Sequence, residues 1–333
     1  MTAMALENYG LYKGWVTECK RAAGERPHYH ILTRDKKQYF RITVAVASYT
    51  YPSELIYLVD EDYSHPLLDK LPDFRYGFTS LKKNCNSGAL DYFRANLFDF
   101  SKMQILPYDV PGPNNDLNEH FDAVILPAIG DNNAEIYVFG ERWGPLPKDR
   151  DEYFGFKPGN GMHDVHMNQA NSHEFKGHDG VWQDGAVFLH YPGLNRWIAI
   201  FLAFQSQGLH SDDRTGEVIN TAGVPEQQVR IIAAKIMIPA ESDDCQSVTL
   251  LNSSTDTVNL AGWALVNECG DKFPLSGKLA AGNSQIISLN PQFILPAEGS
   301  ILTLQDQHGL KSDGVAYRKS DLTKLGWTIP FPS

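Results

Sequence analysis

From residue 248 onward the chain is a succession of short β-type runs broken by turn residues, and this pattern constrains the fold more tightly than any other feature of the sequence. The runs cover residues 248–251, 258–260, 262–266, 284–289, 300–304 and 314–317, with Gly, Asn or Asp between them. Strands recurring at roughly 8–12-residue intervals predict an antiparallel β-sandwich. A short polar stretch with a proline, residues 239–244, precedes them and predicts a domain boundary. The expected organisation is a β-rich N-terminal domain over residues 1–240 and a sandwich over 244–333.

The N-terminal part is read from its periodicities. Residues 9–16, 28–32 and 39–46 suggest consecutive strands, the middle one alternating strictly, and residues 134–140 and 187–191 suggest two more. The run 197–204 is apolar enough to be a central strand, whereas residues 87–97 and 116–126 have the one-faced pattern of short helices. The fold class expected is therefore mainly β with minor helices, an α+β chain ending in an immunoglobulin-like sandwich.

Composition narrows the function classes. With 333 residues, 42% of them hydrophobic and 21% charged, the chain has the makings of a substantial core. A formal net charge of -11 argues against a broad cationic face for nucleic acid, because such faces work by displacing phosphate counterions. A local basic pocket is compatible with that total. The four cysteines, Cys19, Cys85, Cys245 and Cys269, are not at zinc-site spacing, and they suggest no disulfide framework. No window approaches the roughly 20 apolar residues that span a bilayer. No secretory signal is read before the strand that opens at Tyr9, so the expectation is a cytoplasmic protein, with signal-independent export left open.

Histidine is the most informative residue for chemistry. Six of eleven, His163, His166, His173, His178, His190 and His210, fall in one 48-residue span that also holds Asp164, Asn168, Asn171, Gln183 and Asp184. If residues 162–168 are extended, Asp164, His166 and Asn168 project to one face and His163, Val165 and Met167 to the other. An imidazole beside a carboxylate can hold a divalent cation or act as a general base whose tautomer the carboxylate sets. His28 and His30, at i and i+2 on one strand, would supply two further ligands or donors. Gln205, Gln207 and His210 follow the end of the central strand, where a rigid element meets a variable loop.

The candidate catalytic set is thus His166, Asp164, His28, His30 and Asn168. The candidate substrate-binding set is His163, Asn171, Gln183, Asp184, Gln205, Gln207 and His210. A divalent metal ion of unspecified identity would be held by His28, His30, Asp164 and His166. The competing reading is that these polar groups satisfy loop backbone.

Two resemblances carry further expectations. The order Val258-Asn-Leu-Ala-Gly-Trp-Ala-Leu-Val-Asn267, Phe273-Pro-Leu275, Leu279-Ala-Ala-Gly-Asn-Ser284 and Asp313-Gly-Val-Ala-Tyr317 resembles the lamin-tail domain. That resemblance implies an immunoglobulin-like sandwich with Trp263 and Phe273 in its core, of a kind that bacteria append to hydrolases, often nucleases or phosphoesterases, or to surface proteins. The first part resembles the YukJ-like group of bacterial proteins. Its likeness rests on Pro27-His-Tyr-His-Ile31, Asp109-Val-Pro-Gly-Pro113, Gly140-Glu-Arg-Trp-Gly144, Gly159-Asn-Gly-Met-His-Asp-Val-His-Met-Asn-Gln169, Trp182-Gln-Asp-Gly185 and Phe201-Leu-Ala-Phe-Gln-Ser-Gln207. No catalytic residue can be carried over from that group.

The function expected is hydrolysis of phosphodiesters, small-molecule or nucleic-acid, by the His/Asp/Asn/Gln site, with Arg26, Arg142 or Arg214 supplying positive potential. The alternative is a non-catalytic ligand- or surface-binding protein. It would hold an ion or a carbohydrate among Trp143, Trp182 and Trp197, or a protein partner through the C-terminal sandwich.

Overall fold

The computed structural model describes residues 9–25, 27–47, 54–81, 97–98, 102–163, 165, 186–204, 228–309 and 311–331. The chain divides near residue 218 into two compact units, and the protein is mainly β.

In the first unit the strands are β1 (Tyr9–Lys20), β2 (His28–Arg34), β3 (Tyr39–Ala45), β4 (Leu55–Asp60), β5 (Gly77–Ser80), β6 (Gln104–Leu106), β7 (Glu135–Leu146), β8 (Gly159–His163), β9 (Ala186–Tyr191) and β10 (Arg196–Phe204), with helix α1 (Leu117–Gly130) between β6 and β7. Pairing runs β1–β2–β3–β8–β7 and returns to β1, so five strands close on themselves. One long strand makes this closure. The first half of β1 pairs with β7 from Tyr9 to Gly14, and after Trp15 it pairs with β2, with a register shift between Val16 and Glu18. All pairs in the ring are antiparallel except β3–β8. From β7 the sheet continues through β9, β10, β4 and β6.

Period-two alternation sends Tyr29, Ile31, Phe40, Ile42 and Val44 into the core with Tyr12, Ile136 and Val138, while His30, Arg41 and Thr43 lie on the other face of β2 and β3. Helix α1 starts where Asp116 caps it, accepting from the Glu119 N–H at 2.9 Å, and buries Leu117, Phe121, Val124, Ile125 and Ala128. It runs through Pro127 to Gly130, beyond the end expected at residue 126. The proline costs a backbone hydrogen bond, but Ala128 is buried against the same core. β10 is central as expected, lying between β9 and β4 with every residue from Trp197 to Phe204 buried. The helix expected at 87–97 lies outside the described residues, save Leu97.

The second unit contains β11 (Val229–Lys235), β12 (Ser247–Asn252), β13 (Val258–Asn259), β14 (Ala264–Asn267), β15 (Lys272–Pro274), β16 (Lys278–Leu279), β17 (Ser284–Ser288), β18 (Gly299–Gln305), β19 (Lys311–Arg318) and β20 (Thr328–Pro330). Two four-stranded sheets, β17-β12-β11-β20 and β15-β14-β18-β19, share one core. Trp263 is buried in it and Phe273 packs against it.

The boundary at 240/244 is corrected here. β11 pairs with β12 and β20 and sends Val229, Ile231 and Ala234 into the sandwich core, so the second unit begins before the polar stretch that sequence composition marks. That stretch is the β11–β12 connection, and turn residues punctuate a hairpin as readily as they punctuate a linker. Cys269 is disulfide-bonded, whereas Cys19 and Cys245 are free thiols. No helix of the described residues is long and apolar enough to cross a membrane.

Candidate functional site on the outer face of β2 and β3

Arg41 anchors the site because its neighbours on both sides are strands. It pairs in register with Leu32 of β2 and Gly161 of β8, and is only 8% exposed. A buried guanidinium must have its donors satisfied, and most of them are. Nε donates to Asp151 Oδ2 at 2.6 Å, and Nη1 donates to Thr43 Oγ1 at 3.1 Å and to His30 Nδ1 at 3.2 Å. Among the described residues, Nη2 has the exposed Glu152 carboxylate at 3.7 Å, beyond hydrogen-bond distance. The guanidinium carbon lies 4.6 Å from the centre of the Tyr153 ring and 5.1 Å from that of Trp143, within cation–π range.

Asp151 pins the loop between β7 and β8 onto this face. Its side chain is fully buried, and its second oxygen accepts from the Tyr153 and Phe154 N–H groups at 3.1 and 2.8 Å. The turn so formed lays the Tyr153 ring against His30, with ring centres 3.6 Å apart.

His30 is consequently neutral. Burial, then the positive charges of Arg41, His28 and Lys20, lower its pKa to about 3. Since Nδ1 accepts from Arg41, the proton of the neutral ring sits on Nε2, which makes His30 a hydrogen-bond donor. A histidine kept neutral by the fold stabilises it above the ring's ordinary pKa of 6.5, and that contribution drains away as pH falls through 6.5 toward the folded value. Acidification from pH 6.5 to 4.5 is expected to cost the N-terminal unit about 2 kcal/mol through this residue. Urea unfolding across that range checks it: His30→Asn, whose amide oxygen replaces Nδ1, should flatten the profile, and an unchanged profile would remove His30 as the cause.

The structure brings one part of the predicted motif to this face. β8 lies beside β3, and the Val165 N–H donates to the Thr43 carbonyl at 2.9 Å, so the backbone of β8 and of Val165 runs alongside Arg41 and Thr43. The approach requires glycine: a Cβ on Gly161 would sit 2.2 Å from the Arg41 carbonyl oxygen and 2.8 Å from Trp143 Nε1. Alternation does not hold between residues 162 and 165, because Met162 and Val165 both enter the core.

His28 is half-buried, with its ring centre 6.0 Å from that of His30. His163 lies in β8, its backbone paired with Glu141. Asp164, His166, Asn168, Asn171, Gln183, Asp184, Gln205, Gln207 and His210 lie outside the described residues. Among the described residues no three His, Cys, Asp or Glu side chains are grouped to hold a metal. Trp143 packs over Arg41, whereas Trp197 stacks on His190 with ring centres 4.1 Å apart, so these two tryptophans serve different neighbourhoods.

Sequence reading missed Arg41 and Asp151, and also a second cluster. Glu135 accepts from Tyr76 and, at 2.6 Å, from the Tyr137 hydroxyl; Lys13 lies 3.4 Å from it and His190 3.5 Å. Burial pushes the Glu135 carboxyl up, but the two tyrosine donors and Lys13 outweigh it and hold the group below the usual range. The i, i+2 spacing of Glu135 and Tyr137 was the one signal available. Lys13 and Tyr76 come from elsewhere in the chain.

Residues 4–216 match the family model described as "Uncharacterized conserved protein (DUF2278)". The chain is 36% identical over 219 residues to "Uncharacterized protein YukJ" of Bacillus subtilis (strain 168), an alignment covering 65% of this chain and 96% of that protein. No solved structure matches.

Proposed function

The chain belongs to the DUF2278 family, and from that premise we propose that its N-terminal unit is a hydrolase of phosphodiesters, a nuclease or other phosphoesterase. The observation that supports this most is the pairing of a buried Arg41 with a neutral His30 beside the backbone of β8. Arg41 Nη2, which has the exposed Glu152 carboxylate at 3.7 Å, is placed to donate to a phosphoryl oxygen, a charge-assisted bond. His30 Nε2–H adds a donor toward charge developing on the phosphoryl oxygens.

His166 takes the part of general base or metal ligand and Asp164 orients it or shares the cation, with Asn168, Gln183 and Asp184 completing the surroundings. His30 suits donation better than metal binding, because a ring that accepts at Nδ1 and is protonated at Nε2 has no lone pair left to offer. The sandwich supports reading the second unit as lamin-tail-like, the type of domain bacteria append to hydrolases.

The test is turnover of bis(p-nitrophenyl) phosphate by tag-free protein with magnesium, manganese, zinc or calcium, or with chelator. Asp164→Ala and His166→Ala are each expected to lower it at least about 100-fold, the usual worth of a positioned acid–base group, with unfolding transitions unchanged. Undiminished turnover in both variants removes these residues from the mechanism. No turnover by the wild type with any of these ions favours the non-catalytic binding protein.

A further inference from the structure

The ring β1–β2–β3–β8–β7–β1 has a single parallel pair, between its third and fifth strands, and a helix between its third and fourth. That is the arrangement of the five-stranded OB barrel, whose ligands lie across the second and third strands between the loops joining strands one to two and four to five. A shared topology suggests a location and proves no activity. The residues at that location carry the argument.

Here the second and third strands are β2 and β3, and the loop joining the fourth and fifth spans residues 147–158. Tyr39 on β3 is 47% exposed and Tyr153 in the loop is 37% exposed. Phe156 lies beside Tyr39 with ring centres 6.0 Å apart, and Phe154 lies under the Lys20 ammonium at 5.0 Å. Partly exposed aromatic rings are therefore interleaved with cations, the Tyr153 ring having His30 against it. Residues 9–45 contain eight Lys and Arg against three Asp and Glu, a net +5 within a chain of net -11. Lys20, Arg21, Arg34, Lys36 and Lys37 are all exposed.

We infer that the outer face of β2 and β3, with the 147–158 loop, binds single-stranded nucleic acid. Exposed rings between cations suit bases that are already unstacked, each stacking on an aromatic face while Lys and Arg follow the backbone. A duplex hides those base faces. The local positive charge favours a polyanion over the neutral oligosaccharides that similar barrels also bind. The inference deepens the proposed function, since a strand lying here passes Arg41, but binding itself does not depend on hydrolysis.

The experiment measures anisotropy of a labelled oligothymidylate in chelator at low salt, with Tyr39→Ala and Tyr153→Ala variants. Expected are binding that weakens as salt rises, weaker binding of the matching duplex, and about 5–50-fold loss in each variant. Tyr39→Ala should leave the unfolding transition unchanged. No binding at low salt, equal affinity for duplex, or full affinity in both variants overturns the inference, as does salt-independent binding of a neutral oligosaccharide at the same tyrosines. Oligonucleotide binding without any phosphodiester turnover leaves this face standing and sinks the hydrolase, whereas turnover without binding does the reverse.

Discussion

Asp151→Ala is expected to destabilise the N-terminal unit by about 3–5 kcal/mol, the range found when one partner of a buried ion pair is removed. Two losses coincide. Arg41 keeps its charge on a strand flanked by β2 and β8 with only 8% of its surface exposed, and the Tyr153 and Phe154 N–H groups lose their acceptor. The melting temperature of the unit should fall by roughly 10 °C. A double variant with Arg41→Leu should recover much of the stability, because the cost lies in the stranded charge more than in the missing attraction. Calorimetry on the three variants checks this. A loss under about 1 kcal/mol for Asp151→Ala would mean that Arg41 finds water or Glu152 instead, and that the pair does not hold the loop.

Glu135→Gln is the second large effect, at about 3 kcal/mol. The substitution preserves shape but leaves the Lys13 ammonium, 7% exposed, with no carboxylate; its bond to the Pro72 carbonyl at 3.0 Å remains. Of the Tyr76 and Tyr137 hydroxyls, which donate to different oxygens of Glu135, one trades an ionised acceptor for a neutral one and the other loses its acceptor to an NH2 group. Lys13→Met in the Glu135→Gln background should restore most of the loss. Urea midpoints with an unchanged m-value are the readout, and a single variant as stable as wild type would show that Lys13 does not depend on Glu135.

These two clusters also mark the limit of what the chain discloses locally. The central strand β10 was legible as an unbroken apolar run, β2 as an alternation, and α1 as a short helix over residues 116–126. The end of α1 was not, because Pro127 is read as a terminator when only the local cost is visible. β11 was assigned to the wrong unit, because its partners, β12 and β20, both follow in sequence and the last of them begins at Thr328. Of the candidate site, His28 and His30 were singled out while Arg41, on the next strand, was passed over. A lone arginine in a strand has no pattern to distinguish it.

What the sequence by itself determined was therefore the class of the fold, its division into a β-rich unit and a sandwich, and the richness in His, Asp and Asn around residues 163–168. Only the tertiary structure decided that β1 closes a ring with β7, and that Arg41 meets a carboxylate 110 residues away. It also decided that a histidine offered as a metal ligand is a neutral donor under a tyrosine ring. The physical reason is range. Periodicity, caps and turns act over a few residues and leave their mark in the sequence, whereas the charge on an imidazole depends on burial and on neighbours that strand register brings from distant parts of the chain.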